Sequence, residues 1–236
     1  MSTQTEVEPD RLLYPDSDGK PVADNTLQFQ WIQMLQGNLD GLYRHNPEVF
    51  VTGDLLWYAQ EGDPAVCVAP DVFVAFGRPK GYRGSYRQWQ EGGVAPQVVF
   101  EVLSPSNTED EMDQKLQFYD EHGVEEYYLY DPEAVQLSGW LRRGRRLRPV
   151  ARTHGWVSPR LGIRFDLSGG ELTIYRPDGG RFLTFTELME QQELAVRRAE
   201  EERLQRESAE KAAAEAKQQR DRLAAKLREL GVDPDA

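Results

Sequence analysis

Cysteine, histidine and net positive charge are all scarce in this chain. Cys67 is the only cysteine, which excludes an internal disulfide and any cysteine-rich zinc site. With His45, His122 and His154 the only histidines, a histidine-built metal centre has little to draw on. No apolar run approaches the ~20 residues needed to cross a bilayer, and no charged-then-apolar stretch opens the sequence. A cytoplasmic protein is therefore expected. The net charge of −12 works against sequence-blind binding to polyanions, which rests on Lys and Arg neutralising phosphates. A nucleic-acid site would have to be local, and a metal would be held by oxygens.

What the chain does have is apolar and aromatic mass. Hydrophobic residues make up 39%, with five Trp and ten Tyr, enough for a folded core. A length of 236 residues suits one domain with an appendage. Residues 1–20 are polar, aperiodic and interrupted by Pro9 and Pro15, which reads as a flexible arm. Asp24, Asn25 and Thr26 offer capping chemistry ahead of LQFQWIQMLQGNLDGLY, where Leu27, Trp31, Met34, Leu35, Leu39 and Leu42 recur at helical spacing. Residues 48–60, 67–77 and 97–104 read as three strands, residues 108–122 as a helix and EYYLYD as a fourth strand. The order is αβββαβ. Hairpin signals follow around Gly144 and around two Gly-Gly pairs.

From about residue 185 the composition shifts to Ala, Glu, Gln, Lys and Arg without Gly or Pro before Gly231, which marks one long helix. Leu188, Ala195, Glu202, Ala209, Ala216, Leu223 and Leu230 fall on a seven-residue repeat, with Ala199, Arg206, Ala213, Arg220 and Leu227 on a companion row. Ala, Glu and Arg bury little apolar area at a seam. A solvated helix and a coiled coil, in a homodimer or with another helical partner, both remain open. The expected organisation is an arm over 1–20, a domain over 21–186 and a charged helix over 187–236.

Within VVFEVLSP one carboxylate, Glu101, interrupts a run that otherwise has the character of a buried strand. An unpaired buried carboxylate costs several kcal/mol, on the order of a domain's whole stability, so it needs a partner. Alternation puts Glu101 on one face with Val99 and Leu103. Asp71 begins the preceding strand after Pro70, and pairing of the two strands would let both carboxylates meet at the sheet edge. Two carboxylates without His or Cys suit a hard cation, Mg²⁺ with Mn²⁺ as the alternative, and the main-chain carbonyl of Val102 offers a third oxygen. Lys115, on the helix that follows, would bring positive charge, although a surface pair with Glu111 four residues earlier is the plainer reading.

These residues resemble the PD-(D/E)XK nuclease superfamily and, within it, the Uma-two restriction endonuclease family. PDVFVAFG is similar to the superfamily's PD strand, FEVLSPSN to the family's E-V-L-S-P signature, and EMDQKLQFYDEHGVEEYYLYDP to its Lys-containing helix, Gly-Val turn and aromatic strand. GDLLWY, FGRPKGYRGSYRQW, GWVSPRLGIRFDL and LTIYRPDGGRFLTFTEL extend the resemblance over roughly residues 22–190. It implies an α/β (α+β) restriction-endonuclease-like αβββαβ core with extra C-terminal hairpins and the long helix, in which Asp71 and Glu101 bind the metal. The superfamily's lysine stands two residues after the acid, where this chain has Leu103; the resemblance implies a lysine supplied by the helix, Lys115. The function expected is Mg²⁺-dependent hydrolysis of DNA by an endonuclease. Arg78, Lys80, Arg83 and Arg87 in the Gly-rich loop, and Arg142, Arg143, Arg145 and Arg146 at the hairpin tip, are the candidate DNA contacts, with loop packing and a soluble charged tip as their structural readings. The competing functions are a non-catalytic nuclease-fold module assembling through the C-terminal helix, and a purely structural Glu101 paired with an arginine.

Overall fold

The structure is a computed structural model in which residues 13–19 and 21–229 are described. Helix α1 (Thr26–Leu42) starts where the Asn25 side chain accepts the N–H of Gln28 at 2.8 Å. Strands β1 (Val49–Gly53), β2 (Trp57–Tyr58), β3 (Cys67–Val68), β4 (Val72–Phe76), β5 (Tyr86–Arg87) and β6 (Val98–Val102) follow. Helix α2 (Glu109–His122) leads to β7 (Glu126–Asp131), β8 (Gln136–Arg143), β9 (Arg146–Pro149), β10 (Arg164–Asp166) and β11 (Thr173–Tyr175). Helix α3 (Phe185–Glu229) comes last.

Six strands form the main sheet in the order β1-β4-β6-β7-β8-β9. Its pairings are antiparallel except β6 with β7, which α2 joins as a crossover. The elements α1, β1, β4, β6, α2 and β7 reproduce the αβββαβ order read from the sequence. Two expected strands are each split in two. Residues 48–60 break at Asp54, whose φ of 47° turns the chain out of β1, and residues 67–77 break ahead of β4. The pieces cut off, β2 and β3, pair with β5 in a separate three-stranded sheet.

Both faces of the main sheet are covered, which is why β6 is buried along its whole length. On one face Val72, Val74, Val98 and Phe100 pack with Ile32, Leu35 and Leu39 of α1 and with Phe165 and Ile174 of the β10–β11 hairpin. On the other, Phe73, Ala75, Val99 and Tyr127 pack with Tyr119 of α2 and with Trp57 and Tyr86 of the small sheet. The buried line of α1 runs through Gln28, Ile32, Leu35 and Leu39. This is displaced from the expected stripe, for Leu27 is exposed and Trp31, Met34 and Leu42 lie at the margin.

Of the arm expected over residues 1–20, residues 13–19 are described; residues 1–12 and Lys20 lie outside the described residues. Tyr14 is buried, its hydroxyl accepts the Gly62 N–H at 2.6 Å, and its ring lies 5.1 Å from Tyr58 and 5.0 Å from Trp89. The hydroxyl of Tyr58 donates to the Pro15 carbonyl at 2.8 Å. A second unit begins at Phe185. It is the 45-residue helix α3, which leaves Leu188, Leu194, Leu204 and Leu223 exposed and carries local ion pairs such as Arg203 with Glu200 at 2.7 Å. Leu230 and the side chain of Leu227 lie outside the described residues. No helix among the described residues is long and apolar enough to cross a membrane.

Candidate active site

The register of the sheet decides where the acids lie. Strand β4 pairs with β6 through Val72 with Phe100, Phe73 with Val99 and Val74 with Val98. One further step sets Asp71 opposite Glu101, on the face that carries Phe73 and Val99. Glu101 is only 3% exposed, and it has partners. Lys115 Nζ of α2 lies 2.8 Å from Glu101 Oε2, and the Tyr119 hydroxyl donates to Oε1. Lys115 and Tyr119 stand four residues apart and so share the helix face turned to the sheet. Among the described residues the partner of Glu101 is therefore this Lys–Tyr pair, with no arginine bonded to it. Lys115 turns to Glu101, while Glu111 is engaged by the Asn107 amide at 3.3 Å.

Asp71 accepts the Val102 N–H at 2.7 Å. Burial, and then the neighbouring charge of Glu101, push its carboxyl well above the usual carboxylate range, with Lys115 and the Val102 N–H only partly opposing this. For Lys115, burial works to lower the pKa, but Glu101 and then Asp71 outweigh it and the pKa is raised. Burial, followed by Glu101, lifts Tyr119 well above its ordinary value. At neutral pH the lysine is thus a cation and Tyr119 a neutral donor.

The fit to a cation can be tested on these groups. Among the described residues no three His, Cys, Asp or Glu side chains form a group able to hold an ion. The carbonyl of Val102 accepts the Gln28 side-chain amide at 2.8 Å, so as a third oxygen it would have only one lone pair to give. Asp71 and Glu101 remain. Two neighbouring carboxylates, with one lysine paired to Glu101 and no softer donor, suit a hard cation that keeps most of its own water, as Mg²⁺ does. Tyr127 adds a polar group: it is fully buried, it pairs with Val99 two register rows from Glu101, and its hydroxyl has no partner among the described residues.

The basic candidates are largely committed elsewhere. Arg83 pairs with Glu91 at 2.5 Å and lies over the Phe50 ring at 4.0 Å, Arg78 donates to the Glu91 carbonyl at 2.8 Å, and Lys80 pairs with Asp40. Arg87 lies over the Tyr14 ring at 5.1 Å. In the hairpin, Arg142 donates to the carbonyls of Val124 and Asp120, and Arg146 pairs with Asp120 at 2.5 Å. Arg143 and Arg145 are exposed. The Gly-rich loop therefore uses its cations to pack itself, which a reading of charge along the sequence does not reveal. Tyr119 and Gln28 were also missed as site residues; the spacing of Tyr119 from Lys115 was the available signal for the first.

The Uma2 family, described as "Putative restriction endonuclease", matches residues 19–174. The chain belongs to the Uma2 family. The Uma2 match runs from before α1 to Ile174 within β11 and includes Asp71, Glu101 and Lys115. A crystal structure described as "a putative nuclease belonging to DUF820 from Anabaena variabilis ATCC 29413" is similar over 59% of this Uma2 chain and 74% of its own, at 14% identity and a TM-score of 0.44. No curated protein matches the chain.

Proposed function

We propose that this Uma2 protein is a Mg²⁺-dependent endonuclease that hydrolyses DNA phosphodiester bonds, with Asp71 and Glu101 holding the cation and Lys115 acting beside it. The observation that carries this reading is the opposition of Asp71 and Glu101 across β4 and β6 with Lys115 at 2.8 Å from Glu101. When bound, a divalent cation lowers the pKa of water and offsets charge on the phosphate. Lys115, a cation at neutral pH, is suited to orient the attacking water and to stabilise charge on phosphate oxygens, and is unsuited to serve as a base. Tyr119 holds Glu101 by its Oε1 and so fixes the orientation of the carboxylate. Of the basic residues considered, Arg143, Arg145 and Arg146 are exposed, the last while paired with Asp120, and these would be the contacts to DNA phosphates.

One observation favours a second reading. Glu101 already has a lysine and a tyrosine as partners, so the site is electrostatically tolerable as a structural ion pair, and the chain would then be a non-catalytic nuclease-fold module that assembles through α3. Supercoiled plasmid incubated with Mg²⁺ or Mn²⁺ separates the two. Nicking by the wild type and none by Asp71→Ala or Glu101→Ala is expected. Equal nicking by all three would indicate contamination, and none by the wild type would favour the module.

A further inference from the structure

A third acid lies in the same row. Strand β1 pairs with β4 through Gly53 with Val72, so one further step sets Asp54 opposite Asp71, as Asp71 is opposite Glu101. The ladder continues there, for the Asp54 N–H donates to the Asp71 carbonyl at 3.2 Å. The approach is close: a Cβ placed on Gly53 would come 3.0 Å from that same carbonyl oxygen. Three carboxylates thus line up across β1, β4 and β6 at one end of the sheet.

Asp54 also holds a conformation that a side chain disfavours. Its φ of 47° lies in the left-handed region, where glycine is strain-free. Aspartate tolerates this region when its carboxylate bonds the local backbone, yet the Asp54 carboxylate takes no hydrogen bond or ion pair from the described residues. It is exposed and senses the charges of Asp18, Lys115 and Glu101. The fold therefore makes no use of the side chain that it presents at this position.

We propose that Asp54 is a third carboxylate of the candidate site, a positioning residue that holds the water shell of the divalent cation without binding the ion directly. The inference rests on the metal-binding reading above. Direct ligation is disfavoured because no three such side chains close on one ion among the described residues, whereas a strongly hydrated cation presents waters that an outlying carboxylate can accept from. Partners of this outer kind are worth about 10- to 100-fold in metal affinity or activity.

The test is calorimetric titration of the full chain with Mn²⁺, paired with thermal unfolding in a chelator. Asp54→Asn should weaken Mn²⁺ binding by about 10- to 100-fold and leave the metal-free melting temperature unchanged. Asp54→Gly should show the same loss of affinity with a metal-free melting temperature at or above that of the wild type, because glycine relieves the left-handed backbone. Wild-type affinity in both variants would overturn the inference and leave Asp54 as a turn residue. If the wild type binds Mn²⁺ and Asp71→Asn abolishes binding while the Asp54 variants retain it, only this inference fails. A wild type that does not bind Mn²⁺ overturns the metal-binding reading as well.

Discussion

The carboxylate of Asp71 accepts the main-chain N–H of Val102 at 2.7 Å, so a side chain extends the pairing of β4 with β6 past Val72, its last paired residue. That bond holds Asp71 beside the strand that carries Glu101. It also explains how two acids come to share one end of a buried sheet, where burial and then the charge of Glu101 raise the cost of ionising Asp71.

Lys115 is the positive charge that makes this arrangement tolerable. Replacing it by methionine leaves a buried carboxylate pair without a cation, and a loss of about 3 kcal/mol is expected in metal-free protein. Mn²⁺ should recover part of this loss, since it supplies the missing charge at the same carboxylates. Thermal unfolding with and without Mn²⁺ reads both effects. A loss that Mn²⁺ does not touch would separate Lys115 from any ion site, and full nicking activity in the variant would remove it from catalysis.

Tyr14 ties the segment before α1 to the small sheet. Its ring packs against Tyr58 and Trp89 and lies beneath Arg87, so Tyr14→Ala should cost about 3 kcal/mol, as for other buried aromatics. Chemical denaturation measures this. A change below a few tenths of a kcal/mol would restore the flexible-arm reading for this segment.

The same contact gives a pH dependence. Burial first, and then nearby acidic groups including Cys67, raise the Tyr58 hydroxyl from 10.0 to about 12. The folded state holds this proton over a range in which the unfolded chain releases it, so the stabilisation is complete below pH 10 and is lost as pH rises toward 12. Stability measured across that window should fall more steeply for the wild type than for Tyr58→Phe. Parallel curves would contradict the assignment.

Much of the site was legible in the sequence because strand alternation is strict. A single Glu in VVFEVLSP had to face the core with Val99, and Pro70-Asp71 had to begin the neighbouring strand. The spacing of Glu111, Lys115 and Tyr119 likewise fixed one face of α2. What the sequence did not reveal depended on distant contacts. Asp54 splits one apparent strand because its left-handed backbone sends Trp57 into another sheet, and no local pattern marks that turn. The cations of the Gly-rich loop look free along the chain but find Glu91, Asp40 and aromatic rings once folded. Glu126 in EYYLYD passed as an ordinary strand residue, although it is fully buried and satisfied by Tyr128, Ser158 and the Arg160 N–H.

Calorimetric titration with Mn²⁺ of the wild type against the double variant Asp71→Asn, Glu101→Gln tests the account most directly, since both substitutions keep side-chain shape and remove charge. A saturable binding event in the wild type that is absent from the double variant is the expected result. Equal binding by both proteins, or none by the wild type, would contradict a cation held between these two acids.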